Sequence, residues 1–216
     1  KDFSHELPLA KAGLNVIWTK DMSFYRTRKV RILNGTHTMF VPAAYLMGLE
    51  TVEDSLKDPD VSAFIKKGLF EEIIPSMDGD TKALEEYAGD VLERFANPYI
   101  RHLLISITLN SISKFKTRDL PSLTSFMEKK GRVPLRLALS MAALIYFYLT
   151  KNEANDDPAI LTEFKTLRQK YPVIAKNEAD EICSAVLSNK AWWGEDLTER
   201  TGLCNEVSTL LLSIEE

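Results

Sequence analysis

The chain has 216 residues, 45% of them hydrophobic and 27% charged, and 27 Lys and Arg against 31 Asp and Glu give a formal net charge of −4. Residues 1–216 therefore suit one well-buried domain, and the mild negative charge argues against a general nucleic-acid partner. The longest apolar run, Leu135–Leu149, is broken by Arg136 and Ser140 and falls short of the ~20 residues that span a bilayer, so no membrane partner is expected.

The chain opens on Lys1 rather than Met, with no signal peptide, and is expected to be processed or cut from something longer. Strand-like alternation is scarce, and Leu14–Thr19 is the best candidate for a strand. From Asp21 to Met47 the pattern is helical, with Gly35 and Pro42 expected to loosen or kink it. A second helical stretch starts at Pro59 and puts Val61, Phe64, Ile65, Leu69 and Ile73 on one stripe. Asp80–Phe95 repeats the pattern. Asn97-Pro98, Asp119-Leu-Pro121, Val133-Pro134 and Asp157-Pro158 all read as helix starts, where the missing N–H of proline costs nothing. Gly131 after Lys129-Lys130 suits a helix end. Leu135–Leu149 reads as a central buried helix, and Lys151–Asp157 as a polar connection rather than a boundary. Trp192 and Trp193 sit in a polar stretch. They either dock another domain or subunit or anchor the last helices.

The expected class is thus mainly α, a multi-helical domain. No βαβ unit and no G-x-G-x-x-G loop is present, so a dinucleotide, if used, must be held by a domain elsewhere. Cys183 and Cys204 read as reduced thiols of a cytoplasmic protein. His5, His37 and His102 are too far apart in sequence to suggest a metal spacing.

The segment Lys29-Val-Arg-Ile-Leu-Asn34-Gly-Thr-His37 carries the chemistry, with spacing K-x4-N-x2-H. On a helix, Asn34 and His37 lie about 60° apart, with Lys29 on a neighbouring face. Arg26, Arg28 and Arg31 crowd the lysine in sequence. A lysine among like charges, or desolvated, releases its proton nearer neutrality than the usual ~10.4. It can then act as general acid–base in carbonyl–alcohol interconversion. An Asn amide can donate to the developing alkoxide, and a His can hold a neighbouring hydroxyl. The bland alternative is a basic, solvated helix face with an Asn-Gly turn.

Further residues resemble a known family. Arg28–Gly48 looks like the active-site segment of the polyol-specific long-chain dehydrogenases, the mannitol dehydrogenase family, whose signature is K-x4-N-x2-H. Glu93-Arg-Phe-Ala-Asn-Pro-Tyr-Ile100 resembles its R-F-x-N-P turn, and Gly131–Tyr148 its buried helix after a Gly-x-x-Pro lead. The likeness runs from about Gly13 to the C-terminus. It implies an all-α C-terminal domain of a two-domain oxidoreductase. The partner would be an N-terminal Rossmann domain of the same polypeptide, binding NAD, and the 1–20 segment would link the two. By the same likeness Lys29 is the acid–base, Asn34 the oxyanion-side donor and His37 a substrate-orienting group, and no metal is needed. The V-P-x-A-Y-L-x-G continuation, Val41–Gly48, resembles the branch that reduces the keto-uronate tagaturonate to altronate. Fructuronate and mannitol branches tend to lack that proline.

A uronate carries a carboxylate that a cation should receive. Ser113–Arg118 lies where family members place a substrate-contacting Arg or Lys, and Lys114 falls at the matching position, with Arg118 beside it. A solvated loop lysine is the competing reading. Asn97 reads as a cap, and His102 as a bystander on an apolar helix. Glu71 and Glu72 are either partners of Lys29 or an exposed face. Fructuronate, mannitol or no enzymatic activity at all, in a helical interaction module, are the alternatives. On the first reading this chain alone is expected to be inactive.

Overall fold

The structure, a computed structural model, describes residues 3–215. Lys1 and Asp2 of the expected linker lie outside the described residues. Residues 3–22 form local turns and are almost all exposed. No strand forms at 14–19: a lone extended segment has no neighbour to satisfy its backbone, and Leu14 and Val16 bond back to Leu9 and Leu14 instead.

A helical run then begins with α1 (Ser23–Arg28), passes through a π-helical turn (Lys29–Gly35) and continues as α2 (Thr36–Leu46). The helix from Asp21 to Met47 is thus present, but its irregularity is a π-turn ending at Gly35, while Pro42 is buried inside α2 without breaking it. Helices α3 (Val52–Lys57) and α4 (Pro59–Lys67) follow, the first with a Thr51–Asp54 capping box and the second capped by Asp58. A second π-turn (Gly68–Ile73) leads through α5 (Ile74–Ser76) to α6 (Thr81–Phe95), which Asp80 caps. Of the expected stripe, Val61, Ile65, Leu69 and Ile73 are buried and Phe64 partly so.

Asn97-Pro98 starts no helix. The Asn97 side chain accepts the Tyr99 N–H in a turn, and the chain then runs to an isolated bridge between Thr51 and Leu103. Among the described residues that bridge is the only β pairing. Helices α7 (Leu104–Ile107), α8 (Ser111–Arg118) and α9 (Leu120–Lys130) come next, and Gly131 ends α9 in the left-handed conformation, as its position after two lysines suggests.

Helix α10 (Leu135–Thr150) is the centre of the molecule. Leu137, Met141, Leu144, Ile145 and Phe147 are buried along it, and each such side chain contributes about 1.5–3 kcal/mol of apolar burial. Around it pack α2, α11 (Pro158–Lys170) and α14 (Leu203–Glu215), with α12 (Lys176–Leu187) against α14. The short α13 (Lys190–Trp193) holds the paired tryptophans. Both face inward: Trp193 Nε1 donates to the Val186 carbonyl at 2.7 Å, and Trp192 stacks on Phe164. They anchor the C-terminal helices rather than offering a docking surface. Cys183 and Cys204 are unbridged. No helix among the described residues is long and apolar enough to cross a membrane.

Candidate active site

The π-turn decides how the K-x4-N-x2-H residues are presented. In an α-helix, residues five apart point about 140° away from each other. An i→i+5 hydrogen-bonded turn is wider and brings such residues closer to a common face, and single π-turns recur at functional sites. Lys29 and Asn34 are the first and sixth residues of this turn, and His37 follows in the first turn of α2. Lys29 is exposed, and Asn34 and His37 are partly buried.

Two of the three arginines that crowd Lys29 in sequence, Arg28 and Arg31, are occupied elsewhere. Arg28 lies over the ring of Tyr87, 4.2 Å from its centroid, and near Phe24 and Tyr25. Arg31 donates to Ser122 Oγ (2.8 Å), Ser76 Oγ (2.7 Å) and the Pro121 carbonyl (3.1 Å). Both fasten the helical run to its neighbours. The charges gathered near the motif are instead brought by the fold.

The His37 ring stacks on Phe95 at 4.0 Å between centroids and meets His102 edge-on at 5.3 Å. Its Nε2 is buried with no hydrogen-bond partner among the described residues. Burial, reinforced by the charges of His102, Arg118 and Lys29, pushes the imidazole down to about 3 from its ordinary 6.5. It is therefore neutral near pH 7, with an unused nitrogen. His102 stands on the irregular segment after Pro98 rather than on a helix; its carbonyl accepts the Val52 N–H, and the Leu104 N–H donates to the Glu50 carbonyl. Nothing local in the sequence marks this neighbour of His37, 65 positions away.

Lys114 and Arg118 sit one turn apart on α8, not on a loop. Lys114 Nζ donates to the Ile107 carbonyl at 2.8 Å, which leaves two ammonium protons, and burial, with the Arg118 charge, moves its pKa down. Arg118 donates to Thr38 Oγ1 at 3.1 Å, and that hydroxyl donates to the Asn34 carbonyl at 3.0 Å. Arg118 thus belongs to the same assembly as the motif. One small cavity of 180 Å³ takes in His37, Arg94, Phe95, Asn97 and His102, and Lys29, Asn34, Lys114 and Arg118 lie outside its lining. Larger surface hollows of 440 and 580 Å³ do not include the motif.

Glu72 is neither a partner of Lys29 nor exposed. It is buried, and its carboxylate accepts the N–H groups of Arg136 and Leu137 at the start of α10. Asp119 precedes α9 as its Asp-Leu-Pro pattern suggests, but its side chain makes no cap bond; it is buried against Gly35. The one sequence signal of that contact is a glycine in mid-helix, a mark of close approach.

A dinucleotide does not fit this chain by itself. The nine glycines are each at least eight residues apart, and no strand feeds a helix among the described residues, so no backbone cradle for a pyrophosphate exists there.

Comparison with known proteins agrees with the geometry. The mannitol dehydrogenase C-terminal domain family matches residues 21–215. An altronate oxidoreductase of Bacillus subtilis (strain 168) is 46% identical over 213 residues, covering 98% of this chain and 43% of that protein. An altronate oxidoreductase of Escherichia coli is 40% identical over 222 residues, covering 100% and 46%. The fold is that of a mannitol 2-dehydrogenase from Pseudomonas fluorescens, solved as a ternary complex with NAD and D-mannitol (TM-score 0.78, 20% identity, 96% of this chain and 41% of that one). A D-sorbitol dehydrogenase gives a TM-score of 0.72 at 23% identity, over 97% of this chain and 42% of that one. The chain spans less than half the length of the curated relatives it matches. A helical fold in which Lys29 and Asn34 lie on the π-turn and His37 opens the helix after it, matched along residues 21–215, makes this chain a member of the mannitol dehydrogenase C-terminal domain family.

Proposed function

We propose that this chain is the substrate-binding and proton-transfer part of an NAD-dependent oxidoreductase that interconverts the keto-uronate tagaturonate and the sugar acid altronate. The reading is supported by the π-turn over Lys29–Gly35, whose wider winding favours a common side for Lys29 and Asn34, with His37 in the helical turn that follows. The relatives named altronate oxidoreductase support the choice of a uronate. The cofactor is NAD, held by an N-terminal Rossmann domain of the same polypeptide and supplying the hydride.

The roles of this chain's residues follow from their chemistry. As the ketone carbon is reduced, its oxygen gains negative charge and must take a proton. The Lys29 ammonium donates that proton and recovers it in the reverse direction. Lys29 is exposed in this chain, so the covering domain excludes water from it. The Asn34 amide donates to the same oxygen. His37, neutral and with Nε2 free, holds an adjacent hydroxyl. Lys114, with two unused protons, and Arg118 receive the carboxylate. Arg118 and Lys29 lie near enough to depress the pKa of His37, and Arg118 that of Lys114, and such cations suit a substrate bearing one negative charge.

Turnover of tagaturonate, fructuronate and fructose by the full-length polypeptide, beside the 216-residue chain alone, tests the proposal. Tagaturonate should be preferred, and the chain alone should be inactive. Lys114→Ala should raise KM for tagaturonate about 10- to 100-fold, the weight of one charge-assisted hydrogen bond. A preference for fructose, or an unchanged KM, would sink the uronate reading.

A further inference from the structure

Asp119 is fully buried, and neither of its carboxyl oxygens has a hydrogen-bond partner among the described residues. Burying a polar group in this way costs about 1–3 kcal/mol. Helix capping does not account for it. Asp119 stands where a carboxyl would cap α9, yet makes no cap bond. Its Oδ1 lies instead 2.7 Å from where a Cβ on Gly35 would stand, and the Val30 and Arg118 carbonyls are each 3.5 Å from that point. Only a glycine can end the π-turn there without displacing the carboxyl.

The rest of the α8–α9 corner grips the same turn. Arg31, inside the turn, bonds Pro121 and Ser122. Arg118 reaches Thr38, whose hydroxyl holds the Asn34 carbonyl. Arg118, Asp119, Pro121 and Ser122 thus contact the π-turn or the residues beside it. We propose that Asp119 is a positioning residue whose carboxyl, wedged against Gly35, fixes the π-turn and with it the offset between Lys29 and Asn34. This rests on the reading of Lys29 and Asn34 as the groups that act on the substrate oxygen. Burial raises the Asp119 carboxyl well above the usual carboxylate range, outweighing the Arg118 and Arg31 charges. The rise moves the wedge toward its neutral form, which asparagine imitates in size and charge.

The test uses the full-length polypeptide carrying Asp119→Ala or Asp119→Asn, each in wild-type and Asn34→Ala backgrounds, with NADH affinity and Tm followed alongside. Asp119→Ala should lower kcat about 10- to 100-fold, the effect of a ~1 Å misplacement of a reacting group, with KM and NADH affinity nearly unchanged. Asp119→Asn should restore kcat to within about threefold of wild type. In the Asn34→Ala background Asp119→Ala should cost less than about threefold more, because both act through one geometry. A near-normal kcat in Asp119→Ala, or losses that multiply in full, would overturn the proposal in favour of a purely structural role. Should Asp119→Ala not fold, Gly35→Ala puts a methyl group in the space of the carboxyl and must lower kcat in the same way; an unchanged kcat overturns the proposal too. Lys29→Ala is the control. If it retains turnover, the underlying reading has failed; if it is inactive while Asp119→Ala is normal, only the positioning role has failed.

Discussion

His37 shows what a single side chain owes to the fold. Its spacing from Lys29 and Asn34 is legible in the sequence, but its protonation state is not, because Phe95, His102 and Arg118 come from segments 58 to 81 positions away. The consequence can be measured. The unfolded chain protonates this imidazole below about 6.5, whereas the folded chain resists down to about 3. The unfolded state therefore binds more protons across that window, and stability falls as the pH drops through it. Replacing His37 by Asn should remove part of that slope. Urea unfolding at pH 7 and pH 4.5 should show the variant losing less stability than the wild type, and parallel losses would contradict the assignment. The arginines teach the opposite lesson. Their clustering in sequence suggests charge pressure on Lys29, while Arg28 and Arg31 reach out to rings and hydroxyls that the linear order does not display.

At the scale of elements, helix existence was legible and helix irregularity was not. Leu135–Leu149, Asp80–Phe95 and the run from Asp21 to Met47 follow from apolar periodicity and cap residues. The type of the kink escaped, since a π-turn is held by partners across the molecule and leaves only a mid-helix glycine as its trace. The helix expected at Asn97-Pro98 failed because a tertiary bridge at Leu103 competes for the backbone. Glu72 illustrates an element secured from outside. Its carboxylate lies 2.9 Å from the Leu137 N–H and 2.9 and 3.0 Å from the Arg136 N–H, and its ion pair with the Arg136 guanidinium is longer, at 3.7 Å. Burial alone raises its pKa, and these bonds oppose the rise. Glu72→Ala should destabilise the protein by about 2–4 kcal/mol, because it strands buried N–H groups at the start of the central helix. A denaturant-unfolding difference below about 0.5 kcal/mol would show that α10 does not depend on this cap.

Taken whole, the molecule is a helical body around α10 with the motif on one flank and Lys29 exposed there. The fold class and the identity of Lys29, Asn34 and His37 as candidates could be read from the chain, since both rest on local pattern and spacing. Arg118 could be named as a candidate, but its link to the motif through Thr38 and the approach of His102 and Asp119 could not, because these residues are brought in from α8, the start of α9 and the irregular segment after Pro98. The central claim is that Lys29 moves the proton. It is tested most directly by kcat/KM for tagaturonate against pH in the full-length polypeptide, wild type beside Lys29→Ala. Lys29→Ala should lower kcat/KM about 100- to 10,000-fold at neutral pH, the range of general acid–base catalysis. Near-normal turnover at neutral pH with an unchanged profile would contradict it.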